Sequence, residues 1–452
     1  MCHSHLAHSS HACATFRVQA IEKFWYGDPR GYTMRGPISN ASSDGAGIFR
    51  QAAVHLYQRE KMPAGPVLDV LKHCVLFDMW SGTHFITDDT DAKHDGKCWR
   101  SELKSPSRGI LVVFHTFYAV DWRRIFSALG HSEMAIDAML EPEDAQDVPA
   151  MVLMFKALAA LIDVTVGKLS DAGLGAPAAL AGKAKELQLI GAVAAAYVFL
   201  LTGFNKSITE HLVNLAEMQF IIFVLQRRNG TKFLPGQNYS NTSSMIRAKF
   251  KSVVLAQAEG IKVYYIFLDC DDALEGFFGQ LRTLQGNTRN FDLLQLEEKA
   301  ICAMQTAEVG TEGTLGIHGA SACCTMAHHL HGLALGCPWP LGRPRTQPSN
   351  LTPQVLTRHP EWDRGSRRLS GSLDHWNTKS WTGCVDTSKV NAPQAWAAGM
   401  ARARTRLQGT GLFAARDLDF GAIAAAGDGK VTALQPQGKR VGAQLPQQRA
   451  TA

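Results

Sequence analysis

The sequence predicts an α/β region followed by a large helical block, with a disordered C-terminal tail. Three observations predict it. Short apolar and β-branched runs bounded by Gly and Ser mix with helical spacing over residues 14–115. Long Leu/Ala/Met stretches fill 116–265. Residues 408–452 are rich in Ala, Gly and Gln and hold few large apolar side chains. Composition sets the bounds. A chain of 452 residues with 46% hydrophobic residues can build a real core, and 19% charged residues are too few for a wholly disordered chain. The formal charge of +6 permits contact with nucleic acid without arguing for it. The 40 Gly and 18 Pro follow no G-X-Y period, which excludes collagen. Ten cysteines, none in a CxxC pair, read as reduced intracellular thiols rather than a disulfide scaffold.

Residues 1–13 carry His3, His5, His8, His11, Cys2 and Cys13 and read as a disordered polar start. The first twenty residues contain no apolar stretch of the secretory kind. Within 14–115, Ile38 to Ser43 reads as a short strand running into a loop at Asp44-Gly45. Ile48 to Glu60 has helical spacing, Val67 to Phe77 is an apolar run, and Ile110 to Phe114 reads as a strand after Gly109. The helical block 116–265 is punctuated by Pro142, Pro149, Gly173, Gly175 and Pro177. Leu187 to Phe204 is 18 nearly apolar residues, just long enough to span a membrane, and is read as a buried helix. Residues 266–307 hold an acidic turn and a helix. Residues 308–407 are expected to be an irregular extension, with a proline-rich linker at 338–353.

Three local patterns carry polar chemistry. Ser43-Asp44-Gly45 ends the first strand. Asp91, His94, Lys97 and Arg100 recur every third residue, a spacing that places Asp91, His94 and Lys97 on a drifting helical stripe. Asp271-Asp272-Ala-Leu-Glu275-Gly-Phe277-Phe278-Gly-Gln-Leu281-Arg282 reads as a helix whose Leu274, Phe277, Phe278 and Leu281 form an apolar face, with Glu275 at its edge. Singly, each pattern is met by an ordinary explanation: a turn, a solvated face, an acidic helix start. The cluster Cys323, Cys324, His328, His329 and His331 fits no standard zinc spacing.

Together and in this order, the patterns resemble the RNase H-like core of P-element-type transposases. In that family an acidic residue follows an inner strand, a D-x2-H-x2-K-x2-R-like element comes next, a helical domain is inserted, and a helix then returns the last catalytic glutamate. The stretches NASSDGAG, ITDDTDAKHDGKCWRSEL, FLPGQNYSNTSSMI and DDALEGFFGQLRTLQGNTRNFDLLQL are similar to fungal transposase-like proteins of mobile elements, over roughly 35–407. The resemblance implies a partial RNase H-like core interrupted by the helical insertion. It implies Asp44 and Glu275 as catalytic carboxylates that hold Mg²⁺ or Mn²⁺, flanked by Asp91, His94, Lys97, Arg100, Asp272 and Arg282. It implies DNA as partner, nuclear localisation, no membrane association, and leaves a homo-oligomer open. The family's first carboxylate has no counterpart on an earlier strand. Asp28 is the sole candidate, so the chain is read as N-terminally truncated with an incomplete active site. No GxxxxGK[ST] loop is present, and guanine nucleotide is not carried over. The rival classes are a non-catalytic DNA-binding or protein-interaction remnant and a helical membrane protein.

Overall fold

The computed structural model describes residues 60–141, 147–171, 173–175, 177–266, 381–428 and 430–434, with shorter pieces between 14 and 57. The described residues are mostly helical, with a few short strands in small two-stranded sheets. Strand β1 (Asn40–Ser43) pairs in parallel with β4 (Thr87–Thr90). β2 (Glu60–Lys61) pairs antiparallel with β3 (Trp80–Ser81), and β5 (Ile110–Leu111) with β6 (Thr116–Phe117). The predicted strand Ile110–Phe114 is thus cut to two residues. The reason is local: the N–H groups of Val113, Phe114 and His115 point at the buried Glu186 carboxylate, at 3.4, 3.0 and 3.2 Å, instead of at a neighbouring strand. The apolar run from Val67 begins as a short helix, α1 (Pro66–Leu71), with proline in its first turn.

Helix α2 (Ala92–Leu103) follows β4 directly. Helices α3 (Ala119–Ala128), α4 (Glu133–Leu140), α5 (Val148–Ala159) and α6 (Val166–Asp171) lead to three long ones: α7 (Pro177–Thr202), α8 (Ile208–Asn229) and α9 (Gly236–Ala258). Helix α7 begins at the proline that closes the Gly173–Pro177 breaker run. A capping box starts α8. Ser207 Oγ accepts from the Glu210 N–H, and the Glu210 carboxylate accepts from the Ser207 N–H at 2.9 Å. Helix α7 packs against α5, α6 and α8, and α8 against α9. Two stretches, Leu180–Thr202 and Ile208–Lys232, are long and apolar enough to cross a membrane. In this fold 72% and 83% of an apolar 18-residue window in each is buried against protein.

The C-terminal part departs from expectation. Residues 408–428 are folded rather than disordered, and the irregular extension ends in a helix, α10 (Ala392–Thr410), followed by α11 (Phe420–Ala426). Asn391 caps α10, its side chain accepting from the Gln394 N–H, and Gly411 ends it in the left-handed conformation that glycine adopts without strain. Buried Trp396 explains why the segment docks. Its ring lies 5.2 Å from Phe77, 5.2 Å from Phe220 and 5.0 Å from Phe250, and its indole N–H donates to the Val75 carbonyl at 2.9 Å. The Phe420 ring lies tilted against Phe220, 4.6 Å away. A few aromatics bury enough area to fix a segment whose average composition is poor in large apolar residues. Residues 1–13, 267–380 and 435–452, with their predicted tract, acidic turn, linker and Cys/His cluster, lie outside the described residues.

Candidate functional site

The strands that precede two of the sequence patterns end side by side. The parallel register pairs Asn40 with Thr87 and Ser43 with Thr90, so β1 and β4 finish side by side. Asn40 locks the register. Its carbonyl oxygen accepts from the Thr87 hydroxyl at 2.8 Å and its amide donates to Ser252 on α9 at 2.6 Å. Asp44 follows Ser43 in the sequence and lies outside the described residues, as do Glu275, Asp272 and Arg282. Asp28 stands in a bend after the helical turn Ile21–Tyr26 and is not on a strand.

Asp91 follows Thr90 as the N-cap of α2, and not on the helical stripe that its spacing predicts. Its carboxylate accepts from the N–H groups of Lys93 and His94 at 2.9 and 3.0 Å. His94 and Lys97 are half-buried on α2. Arg100 is fully buried, and its guanidinium donates to the carbonyls of Met139 at 3.0 Å and Ala138 at 2.8 Å. It therefore closes the carboxyl end of α4, where orphan carbonyls and the helix dipole both favour a cation. Lys104 does the same for the Glu141 carbonyl at 2.7 Å. Of the six predicted flanking residues, four are described, and of these Asp91 and Arg100 hold α2 in place beside the strand ends.

Spacing did not reveal the acids around them. β4 reads Thr87-Asp88-Asp89-Thr90, and all four residues are buried. Aspartate is a poor strand former, which hid this strand between two threonines. The counter-charges come from α9, whose residues 241–254 are buried without a break. Arg247 pairs with Asp88 and, at 3.2 Å, with Asp78. It also donates to the Trp80 carbonyl at 3.1 Å. Ser244 donates to Asp88, and Lys249 stands 4.0 Å from Asp89. Small residues Ser243, Ser244, Ala248 and Ser252 line the same helix.

One turn into α2, Asp95 is fully buried. It accepts from the Tyr197 hydroxyl of α7, beside Thr242, which in turn takes the Trp99 indole N–H at 3.0 Å. Burial pushes the Asp95 carboxyl up to about 7, against the lowering effect of the Tyr197 and Thr242 hydroxyls. The negative charge of Asp91 adds to the rise. One oxygen each of Asp91 and Asp95 is buried without a hydrogen-bond partner among the described residues. Asp95 is fully buried between α2, α7 and α9, and its carboxyl serves their packing through Tyr197.

Among the described residues, no group of three or more His, Cys, Asp or Glu is arranged to hold a metal ion. Asp78, Asp88 and Asp89 face cations of α9, and Asp91 caps a helix. The described carboxylates alone therefore do not fit a magnesium pair, and no reaction step is drawn through them. Comparison with known proteins supplies no relative: no family model, no curated protein and no solved structure matches the chain.

Proposed function

We propose that the chain is a transposase-like protein derived from a mobile element and acting on DNA. In this reading residues 14–115 carry the remains of an RNase H-like core, and residues 116–265, with α3 to α9, are its helical insertion. One observation supports it most. Two polar patterns far apart in the sequence follow the carboxyl ends of neighbouring parallel strands, with Ser43 opposite Thr90. Crevices at the carboxyl ends of parallel strands are where α/β sheets gather ligands and reacting groups. A divalent metal pair would supply an activated oxygen nucleophile and stabilise the leaving oxygen of a phosphodiester. Asp44 and Glu275 are the proposed ligands. Asp91, His94, Lys97, Arg100, Asp272 and Arg282 flank them.

A second reading, a DNA-binding or interaction remnant without catalysis, is favoured by a specific observation. Every described acid on β4 faces a cation of α9 and is committed to the fold. Burial of the two long apolar helices supports core helices over membrane spans. A nuclear location is part of the proposal, because the proposed substrate is DNA.

Relaxation of supercoiled plasmid by the purified chain in Mg²⁺ separates the two readings. The catalytic reading expects nicking that Asp44→Asn and Glu275→Gln each abolish, with DNA retention on a filter unchanged. Retention without nicking, indifferent to both substitutions, establishes the remnant. A chain that neither nicks nor retains DNA refutes the catalytic reading and the DNA-binding remnant alike.

A further inference from the structure

We propose that the tip of the β5–β6 hairpin and the carboxyl end of α8 form a binding surface for single-stranded nucleic acid, with one base stacked on Phe114. This surface does not include the strand-end site, and the inference does not rest on phosphodiester chemistry. Phe114 is 58% exposed at the tip of a two-residue-strand hairpin. An exposed ring on a loose loop would mean little. Here the tip is fixed from below. The fully buried Glu186 accepts from three successive backbone N–H groups, Val113 to His115, and contacts His115 Nδ1 at 3.0 Å. Asn229 donates to the carbonyls of Leu111, at 2.9 Å, and Val112. Val112 and Val113 bury their side chains, while the phenyl ring of Phe114 is turned outward beside half-buried His115. A carboxylate sequestered to hold an apolar ring in water is costly for folding alone and useful for binding, because the ring is ordered before the ligand arrives.

The charge around the ring selects the partner. The Arg228 guanidinium lies 4.8 Å from the Phe114 ring centre and 5.7 Å from that of Phe413. Arg108 reaches the same end of α8, donating to the Thr231 carbonyl at 2.6 Å while paired with Glu102 at 2.6 Å. Exposed Lys232 follows Thr231. Exposed Lys185 on α7 approaches within 3.7 Å of where a side chain on Gly411 would start, two residues before Phe413. Among the described residues none of Lys185, Arg228 and Lys232 forms a salt bridge. Cations without counter-carboxylates favour a polyanion. A pre-ordered aromatic face among them favours one with planar bases, since phosphates meet the cations while a base stacks on the ring. Bases of a duplex are already stacked inside it, so the fit is to a single strand.

The test is fluorescence anisotropy of a labelled oligothymidylate of about 20 nucleotides with the full chain in EDTA. Phe114→Ala is expected to weaken binding about ten-fold or more, and Phe114→Trp to restore it. Arg228→Ala is expected to lower the slope of log affinity against log salt by about 0.7. Phe114 is at the surface, so its variants keep the fold, which circular dichroism checks. Equal binding by wild type and Phe114→Ala overturns the proposal. So does displacement of the oligonucleotide by polyglutamate or by phosphatidylserine vesicles at equal charge. Metal plays no part in this readout. Phe114-dependent binding without plasmid nicking therefore sustains this inference and refutes catalysis, and nicking with Phe114-independent binding does the reverse.

Discussion

Two cores meet in this fold, and they are built on opposite terms. Around α5, α7, α8 and α10 the buried side chains are mainly apolar, including Leu187, Ile190, Leu212, Phe220 and Trp396, with Glu186, His211 and Gln219 among the polar exceptions. Around β4, α2 and α9 they include Asp78, Asp88, Asp89, Asp95, Arg247 and Lys249. Apolar burial is non-directional and roughly proportional to area, so its members contribute almost separately. Charges leave water only with their partners, so the second core stands or falls as a set. The contrast teaches where each region tolerates change.

Removing one partner from the ionic set gives the largest effect expected. Arg247→Met leaves Asp78 and Asp88 buried without their cation. The expected cost is about 3–5 kcal/mol, read as a lower urea midpoint at unchanged slope. Adding Asp78→Asn and Asp88→Asn to Arg247→Met is expected to return most of that loss, because no buried charge is then uncompensated. A single variant as stable as wild type would mean that the two cores do not differ in kind.

The same contrast decides what the sequence disclosed. The helices of 119–258 are legible from their Leu/Ala/Met density and their breakers, and α7 starts at Pro177 as those breakers indicate. β1 is legible as the run before Asp44. β4 is not, because Asp88 and Asp89 look like turn residues until Arg247 and Lys249 are brought to them across more than 150 residues of chain. Likewise α9 looks like a surface helix from Asn241 to Lys251, and no local signal announces that it runs through the interior. Spacing groups Asp91 and Arg100 in one three-residue pattern. Their partners, the first N–H groups of α2 and the last carbonyls of α4, are tertiary facts. Trp396 and Phe420 anchor a segment that composition alone reads as tail.

Titration sharpens the comparison, because the two regions respond to pH with opposite signs. Asp95 is pushed up to about 7 by burial, so the native state holds its proton more tightly than the unfolded chain, whose carboxyl titrates near 3.8. Its stabilising share is full below pH 3.8 and is lost as pH rises through about 7. His211, at the start of α8, is pushed down to about 4, also by burial. Its share is full above 6.5 and is lost as pH falls through about 4. Urea midpoints across this range are expected to fall with rising pH in wild type relative to Asp95→Asn. Relative to His211→Gln they are expected to fall on acidification. Parallel profiles for wild type and Asp95→Asn would show that Asp95 is ionised throughout and that burial around it is less complete than the packing with Tyr197 implies.

The smallest effect tests how closely the apolar side is packed. Gly399 lies in the middle of α10, where α10 crosses α8. Replacing a mid-helix glycine with alanine normally stabilises by about 1 kcal/mol. At Gly399 a methyl would begin 2.5 Å from the Val213 carbonyl oxygen and 2.7 Å from the Glu217 nitrogen, both backbone atoms of α8 that cannot swing aside. The helices must then separate, and overpacking of this kind costs about 1–3 kcal/mol. Gly399→Ala is expected to be destabilising despite the better helix former. Gly409 sits on the same helix with nothing within 4 Å of a would-be methyl, so Gly409→Ala is expected to be stabilising. Melting temperatures that shift in opposite directions for the two variants confirm close contact of α8 and α10. A rise in both would mean the crossing is loose, and that the apolar core tolerates at a close backbone approach what the ionic core does not.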